Sequence, residues 1–394
     1  MAELERWVTR HQAYVQHKYT PRAKRSLEQV ALTNYRSDGM WVATIMVGTP
    51  GQSLRVVVDT GSADLWLTSK AFSPKDSSSF QNLNQPFSIR YNIGNAHGYA
   101  GKDRVAIGNV VSDSQALGVV DATDELNFPS KVSGVLGLAQ SDLSVTKAMP
   151  FWEVAKMDAP IFSLYLKRDR ILRPTEKGKV GGVLTLGGTN SSLYEGDIDY
   201  IDVVNSKHWQ IPMEGLMIGD TRIHLKRDTT AFFDSGTALI GGPSAEVHRV
   251  YAQIPGSRMM DNVTGHYTYP CHISPNVSFS FGQRNYVVSD SDFQAMVVED
   301  HKNATSKQCL GALYALEGKI NQGRWLMGAA FMKNVYTVMD GGERKRVGFA
   351  RLKQVNNNGT LTGPAIRTSG AASLAPPTHA LLFIGVAFFV LSHY

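Results

Sequence analysis

Apolar residues in this chain fall mostly into short alternating or continuous runs, the pattern typical of β-strands. Glycine, proline and asparagine separate the runs, as at Gly48-Thr49-Pro50-Gly51 and between residues 92 and 98. Helices are predicted in two short segments, near Pro150–Met157 and from Gly241 to about Gln253. The pattern therefore predicts a mostly β fold, with strands at residues 29–33, 41–47, 56–58, 87–91, 99–107, 132–139, 209–213, 216–220, 231–233 and 325–331, and a loop over residues 73–86.

Two of the predicted strands end in an acidic residue followed by a small hydroxyl residue and a glycine. The run Val56–Val58 leads into Asp59, and the run Ala231–Phe233 leads into Asp234, nearly half the chain further on. A carboxylate at the end of a buried strand is costly unless it is paired, neutralised or used for chemistry. Both acids are therefore candidates for a functional site.

The second half of the chain repeats the design of the first half. Each acid-ended strand is followed later by an apolar run with a central glycine, at Val135–Ala139 and at Trp325–Phe331. Internal repetition of this kind indicates how a fold is assembled. It predicts two similar β lobes with a cleft between them, to which each lobe contributes one acid.

Two carboxylates a few ångströms apart cannot readily both ionise, so they share one proton. One carboxylate can then act as a general base on a water molecule, while the other, still protonated, donates to a substrate oxygen. This combination hydrolyses an amide without a covalent intermediate and without a metal. The prediction is a hydrolytic site built on Asp59 and Asp234.

Small residues flank each acid in matching order. They form three pairs, with one member from each half: Thr60 and Ser235, Gly61 and Gly236, Ser62 and Thr237. The hydroxyls of the first pair can lock the two turns together. The second pair leaves room for a substrate backbone, and the third can donate hydrogen bonds to the outer carboxylate oxygens.

Composition and charge exclude several other classes of protein. The chain has 394 residues with 43% hydrophobic residues and 36 glycines, which suits two or more turn-rich globular domains. Its net charge of +6 is concentrated in residues 1–25, which hold six Lys and Arg, so a nucleic-acid partner is not predicted. The eleven histidines show no metal-ligand spacing, and the Gly181-Gly182 and Gly187-Gly188 pairs are interpreted as turns. We expect no metal and no cofactor.

Both ends of the chain have the composition of processing segments. Residues 1–25 end in Lys24-Arg25, a dibasic cleavage point; the alternative is a solvated basic arm. No secretory signal is visible, so the chain is either cytosolic or recorded from downstream of its true start. Residues 380–394 contain twelve successive apolar residues, too few to span a bilayer, after a polar stalk at 356–379. This layout predicts a GPI-attachment signal, with a short membrane anchor or a terminal strand as alternatives.

Taken together, the motifs resemble the pepsin family of aspartic endopeptidases, most closely its fungal secreted or surface-anchored members. The resemblance covers residues 26–353 and includes Trp66, the runs Val135-Leu136-Gly137 and Leu326-Met327-Gly328, and the ending at 338–350. It implies a bilobal fold, with an N-terminal lobe at 26–190 and a C-terminal lobe at 191–355. It also implies that the protein cuts peptide bonds at acidic pH, with Asp59 and Asp234 as the catalytic pair.

The resemblance also implies further site residues. A flap hairpin over residues 87–105 carries Tyr91, whose hydroxyl meets the indole N–H of Trp66 and helps to exclude water. On sequence alone, Tyr91 would be an ordinary edge-strand aromatic residue. Leu126 would lie near an apolar substrate-binding wall. The departures from the family pattern are a bulky flap tip at 92–97, His208 in place of a tyrosine and Ala329 in place of an acid.

The resemblance implies a disulfide between Cys271 and Cys309; the alternative is two buried thiols in a reducing compartment. Sequons at Asn190, Asn262, Asn276, Asn303 and Asn358 are typical of a secreted chain. We therefore expect a secreted or cell-surface monomer that acts on peptides or proteins, is attached to membranes only through its tail, and carries a propeptide remnant at 1–25. The alternatives are a pepsin-like fold that binds peptides without cutting them, and a cytosolic protein.

Overall fold

A computed structural model describes residues 27–91, 94–169, 178–261, 263–298, 307–316, 323–355 and 361–362. The predicted propeptide remnant at 1–25, the stalk at 356–379 apart from residues 361–362, and the tail at 380–394 lie outside these residues. So do the sequons at Asn262, Asn303 and Asn358. The described residues include no helix that is long and apolar enough to cross a membrane.

The first half of the described chain is built of ten strands, one short α-helix and two 3₁₀ helices, Pro74–Asp76 and Ser141–Leu143. The α-helix, α1, spans Phe151–Val154. The strands are β1 (Glu28–Tyr35), β2 (Met40–Val47), β3 (Gln52–Asp59), β4 (Leu65–Thr68), β5 (Gln81–Tyr91), β6 (Gly94–Ile107), β7 (Val110–Asp124), β8 (Gly134–Gly137), β9 (Ile161–Leu166) and β10 (Lys179–Leu186).

The second half has seventeen described strands and three helices, which are α2 (Ser244–Tyr251), α3 (Asp290–Phe293) and α4 (Ala329–Met332). The strands are β11 (Tyr194–Asp202), β12 (Gln210–Pro212), β13 (Gly215–Ile218), β14 (Thr221–Arg222), β15 (Thr230–Phe233), β16 (Ile240–Pro243), β17 (Arg258–Met259), β18 (His266–Pro270), β19 (Val277–Phe281), β20 (Arg284–Val287), β21 (Gln294–Val298), β22 (Gln308–Leu316), β23 (Arg324–Met327), β24 (Tyr336–Asp340), β25 (Arg346–Leu352), β26 (Gln354–Val355) and β27 (Leu361–Thr362).

The largest sheet joins the two halves of the chain. Its thirteen strands run in the order β11-β25-β24-β9-β10-β1-β2-β3-β8-β4-β7-β6-β5. The junction is the antiparallel pair β24–β9, in which Thr337 lies opposite Leu164. An eight-stranded and a four-stranded sheet complete the second half. The predicted mostly β, two-lobed fold is confirmed, while the lobe boundaries at 190 and 191 stay predictions.

The internal repeat is present in the strand pairing. In the first half β3 runs parallel to β8, which is antiparallel to β4. In the second half β15 runs parallel to β23, which is antiparallel to β16. Each acid-ended strand therefore lies beside the strand that carries the later glycine run. The apolar residues before each acid, such as Val58 and Phe233, are fully buried and anchor the strand ends.

Some local predictions were wrong in detail. Residues 81–86 form the start of β5, although their polar composition predicted a loop. Most of these side chains are exposed, and β5 lies at the edge of the sheet. The hairpin turn predicted at 92–98 is shorter, because β6 begins at Gly94, opposite Tyr91. Helix α1 covers only four residues, and α4 interrupts the apolar run after Met327.

Candidate active site

The two acids lie side by side at the ends of equivalent strands. Asp59 ends β3 and Asp234 directly follows β15, and each is almost completely buried. The two carboxyl groups are hydrogen-bonded to each other. A hydrogen bond between carboxyl groups needs a proton, so the pair holds one proton between them.

The turns that follow the acids are tied together across the cleft. The backbone N–H of Thr60 donates to the Ser235 hydroxyl at 3.1 Å, and the N–H of Ser235 donates to the Thr60 hydroxyl at 2.9 Å. Each hydroxyl in turn donates to a backbone carbonyl of the opposite strand, Thr60 to Phe233 at 2.8 Å and Ser235 to Val58 at 2.7 Å. Four buried bonds therefore fix the relative position of the acids, as the sequence predicted for Thr60 and Ser235.

Each acid has the same set of donors within its own turn. Asp59 accepts from the Gly61 N–H at 2.8 Å and from the Ser62 hydroxyl at 2.5 Å. Asp234 accepts from the Gly236 N–H at 2.8 Å and from the Thr237 hydroxyl at 2.7 Å. These bonds fix both carboxyl groups within their turns and leave the remaining lone pairs for a water or substrate.

The two glycines have a packing role that the sequence did not predict. A Cβ atom at Gly236 would lie 2.6 Å from Oδ1 of Asp59, and Gly61 faces Asp234 in the same way. The space that each glycine leaves is therefore occupied by the acid of the other half. This contact requires glycine at both positions, and the role of Gly61 and Gly236 in leaving room for a substrate backbone stays a prediction.

Burial shifts both acids toward the protonated form. It raises the pKa of Asp234 well above the usual value, and the adjacent charge of Asp59 raises it further. Burial also raises the pKa of Asp59, although hydrogen bonds from Ser62, Asp234 and Gly61 oppose the shift. Both groups are therefore shifted toward the protonated form, and they titrate as a coupled pair that shares one proton.

The tyrosine predicted on the flap lies next to this pair. Tyr91 ends β5, and its hydroxyl accepts a hydrogen bond from the Trp66 indole N–H at 2.6 Å. It is also hydrogen-bonded to Ser62, so a continuous path of bonds runs from Trp66 to Asp59. Burial and the charge of Asp59 raise the pKa of Tyr91 well above its usual value, so the hydroxyl stays neutral.

An apolar cluster surrounds Tyr91 and Trp66. Leu126 is part of it, and the rings of Phe128 and Trp66 lie 5.7 Å apart. The role of Leu126 as a substrate-binding wall stays a prediction. The segment that follows β8 also reaches this cluster, through Val145. The flap tip at 92–93 lies outside the described residues.

Sequence reasoning missed Asp64, which anchors that segment. Its buried carboxylate accepts hydrogen bonds from the Ser144 hydroxyl at 2.8 Å, the Val145 N–H at 2.8 Å, and the hydroxyl and N–H of Thr146. Asp64 thus holds Val145 against the cluster of Trp66 and Tyr91. The sequence did offer one signal for Asp64, because this acid stands between the turn that follows Asp59 and the start of β4.

The remaining predicted positions are also described. Cys271 and Cys309 form a disulfide, so the alternative of two free thiols is wrong. His208 is buried against the Phe232 ring. Ala329 begins α4, and its backbone N–H donates to the carbonyl of Thr237 at 2.7 Å. Among the residues that the structure describes, no group of three or more His, Cys, Asp or Glu could hold a metal ion.

Comparison with known proteins agrees with this geometry. The family model described as eukaryotic aspartyl protease matches residues 40–352. The chain is 32% identical to major aspartyl peptidase 1 of Cryptococcus neoformans var. grubii over 84% of this chain and 72% of that protein. It is also 32% identical to an aspartic protease of Phaffia rhodozyma, over 88% and 85%, and to cathepsin D of Clupea harengus, over 81% and 83%.

Proposed function

The chain belongs to the family of eukaryotic aspartyl proteases, and we propose that Asp59 and Asp234 are the residues with which it hydrolyses peptide bonds. The protein is an aspartic endopeptidase; the non-catalytic peptide-binding alternative is not favoured. The observation that supports the assignment is the hydrogen-bonded pair of buried carboxyl groups, held by matching donors from both halves.

In the proposed reaction a water molecule lies between the two carboxyl groups. Asp59 takes a proton from the water as the water oxygen attacks the scissile carbonyl carbon. The proton on Asp234 passes to the carbonyl oxygen, which gives a tetrahedral diol. Asp59 then gives its proton to the amide nitrogen, and Asp234 takes a proton from one hydroxyl of the diol as the C–N bond breaks. The products are a carboxylic acid and an amine, and the pair again holds one proton, on Asp234.

Tyr91 is proposed to cover the bound substrate. Its neutral hydroxyl lies within the bond path from Trp66 to Asp59, and its ring belongs to the apolar cluster of the cleft. A substrate held beneath the hairpin of β5 and β6 would be shielded from water, which strengthens the hydrogen bonds at the acids.

The assignment is tested by replacing each acid with its amide. Asp59→Asn and Asp234→Asn should each lower cleavage of a denatured protein near pH 4 by at least about 1,000-fold, because each variant loses a proton-transferring group. A transition-state-mimicking hydroxyl-containing inhibitor should block the wild type. Circular dichroism should show an unchanged fold. Undiminished cleavage by either variant contradicts the assignment.

We also propose that the protein is secreted or held at the cell surface. The Cys271–Cys309 disulfide supports this, because disulfides persist in oxidising compartments, and so do the sequons at Asn190 and Asn276. The same proposal includes three further points. A GPI anchor replaces the tail, loss of residues 1–25 activates the enzyme, and the protein is a monomer. Treatment of cells with phosphatidylinositol-specific phospholipase should release the protein; retention after treatment excludes the anchor.

A further inference from the structure

The turn between β1 and β2 has an unusual backbone conformation. Its residues Arg36, Ser37 and Asp38 have φ angles of 56°, 50° and 72°. This left-handed region is disfavoured for residues that carry a side chain, and it persists only where the surrounding structure holds the backbone in place. Three such residues in succession therefore call for firm contacts between the turn and the rest of the molecule.

Asp38 anchors this turn to the second half of the chain. Its Oδ2 pairs with the Lys333 ammonium at 2.6 Å, and Lys333 also pairs with Asp292 at 3.0 Å. The other oxygen, Oδ1, accepts hydrogen bonds from the Asn34 side-chain amide at 2.6 Å and from the Asp169 N–H at 2.7 Å. Because Lys333 is only 6% exposed, its ion pair with Asp38 is shielded from bulk water and fixes the turn.

Arg36, two residues earlier in the same turn, reaches the segment between β7 and β8. One guanidinium nitrogen donates to the backbone carbonyl of Asn127 at 2.8 Å, and a second donates to the side-chain oxygen of Asn127 at 3.4 Å. Hydrogen bonds from a charged donor are stronger than those between neutral groups. Arg36 therefore fixes the peptide group that joins Asn127 to Phe128.

Both chain neighbours of Asn127 belong to the apolar cluster around Tyr91 and Trp66. Leu126 is buried in this cluster. Phe128 packs against it, with its ring 5.7 Å from that of Trp66. A shift of the peptide group at Asn127 would therefore move two side chains of the cluster that lies next to the dyad.

We propose that Arg36 is a positioning residue, which holds Leu126 and Phe128 where an apolar side chain of the peptide substrate binds next to the cleavage point. The ion pair between Asp38 and Lys333 keeps Arg36 in place. The inference rests on the proposed function, because the cluster has a substrate to contact only if the enzyme cuts peptides. Arg36 acts through the two apolar side chains and takes no part in proton transfer.

The test uses pairs of peptides built on one cleaved parent, in which Leu or Ala occupies each position near the cut in turn. Wild-type enzyme should prefer Leu at one position. Arg36→Met keeps the size of the side chain but removes its donors, and it should raise KM for that Leu peptide roughly tenfold, which is part of the gain from burying one apolar side chain. The kcat should stay near wild type, since an apolar contact is made equally in the ground state and the transition state.

Three further measurements separate positioning from a general loss of structure. The KM for the matching Ala peptide should change little in Arg36→Met. Arg36→Lys retains a charged donor and should recover part of the Leu preference. Asp38→Asn loses the charge that pairs with Lys333 and should lower the Leu preference in the same direction as Arg36→Met.

Arg249→Met is the matched control, because Arg249 of α2 is also half-buried and donates to a backbone carbonyl, that of His224, at 2.7 Å. This variant should keep the wild-type Leu preference even where thermal unfolding shows a loss of stability like that of Arg36→Met. The inference is overturned if Arg36→Met keeps the wild-type KM ratio of the Leu and Ala peptides, or if Arg249→Met changes that ratio equally. It is also overturned if wild-type enzyme shows no Leu preference at any position. If wild-type enzyme cuts no peptide of the set, the proposed function fails and this inference falls with it.

Discussion

The backbone of Gly61 lies against the carboxyl group of Asp234, so that a Cβ atom at Gly61 would stand 2.5 Å from Cγ of that acid. Real Cβ atoms do not approach other heavy atoms this closely, and both residues are held by the bonds between Thr60 and Ser235. The spacing of the two acids therefore depends on the absence of a side chain at Gly61 as much as on the hydroxyls of Thr60 and Ser235.

Gly61→Ala should therefore reduce activity by at least about 100-fold. The added methyl group pushes Asp234 away from its position, and a displacement of about 1 Å at a reacting group can cost that much. Steady-state cleavage of a peptide measures the loss. Gly236→Ala, whose Cβ atom would meet Asp59, should behave in the same way.

Gly51→Ala provides the control for these glycine variants. A Cβ atom there would meet mainly the flexible end of the Met46 side chain, at 3.1 Å. Gly51 precedes the start of β3, whereas Asp59 is the last residue of that strand. This variant should keep near wild-type activity. Equal losses in Gly51→Ala and Gly61→Ala would show that the effect is general destabilisation and not displacement of Asp234.

Removal of the Tyr91 hydroxyl tests the bond path to the dyad. In Tyr91→Phe the buried Trp66 indole N–H loses its acceptor at 2.6 Å, a change worth about 1–3 kcal/mol. We expect kcat/KM to fall by roughly tenfold or more. Tyr99→Phe removes a hydroxyl from β6 of the same hairpin and should change kcat/KM little. A larger effect at Tyr99 than at Tyr91 would contradict the assigned role.

The sequence was sufficient to predict the dyad, its hydroxyl neighbours and the two-lobed β fold, because each half encodes them in one short local pattern. The pairing of Tyr91 with Trp66 followed only from the family resemblance. The contact between Gly61 and Asp234 could not be predicted, since it joins two turns whose separation depends on the folded sheets. The sharing of one sheet by both halves, through β9 and β24, is non-local in the same way.

Charged residues show the limit of sequence reasoning most clearly. Lys, Asp and Arg are usually exposed, so nothing in the local sequence distinguishes Lys333 and Asp292. In the fold they are almost completely buried and pair with each other at 3.0 Å. Lys333 also reaches Asp38 at 2.6 Å, near the opposite end of the chain, and Arg168 pairs with Asp292. Only the packing of β1, α3 and α4 brings these residues together.

The dyad should make the fold less stable as pH rises. The pKa of Asp234 is raised above 3.8 in the folded protein, so the folded state binds more protons than the unfolded state above that pH. The contribution of Asp234 to the free energy of unfolding is present below about pH 3.8 and is lost as pH rises through the pKa of Asp234 in the folded protein. Asp234→Asn should therefore gain stability relative to wild type between pH 3.5 and pH 7, as measured by urea unfolding.

Asp292→Asn should show the opposite trend. Burial alone would raise the pKa of Asp292, but the charges and hydrogen bonds of Lys333 and Arg168 lower it overall. Its contribution is present above about pH 3.8 and is lost as pH falls through the lower folded pKa. The free energy of unfolding that Asp292→Asn loses relative to wild type should therefore be larger at pH 7 than at pH 3. If the free energies of unfolding of Asp234→Asn and Asp292→Asn changed with pH in the same way, the raised pKa of Asp234 and the lowered pKa of Asp292 would both be contradicted.

Lys333→Met should destabilise the protein by about 3–5 kcal/mol at pH 7, because it leaves Asp292 and Asp38 without their buried cation. The control is Lys156→Met, which removes a lysine from the exposed pair with Asp113 and should cost at most about 1 kcal/mol. Urea unfolding of both variants gives the comparison. Since the ion pairs of Lys333 within the described part of the chain are with Asp38 and Asp292 and with neither member of the dyad, the kcat of the folded Lys333→Met enzyme should stay near wild type. Similar stability losses for the two lysines would show that burial of the Lys333 pair contributes nothing beyond an ordinary surface ion pair.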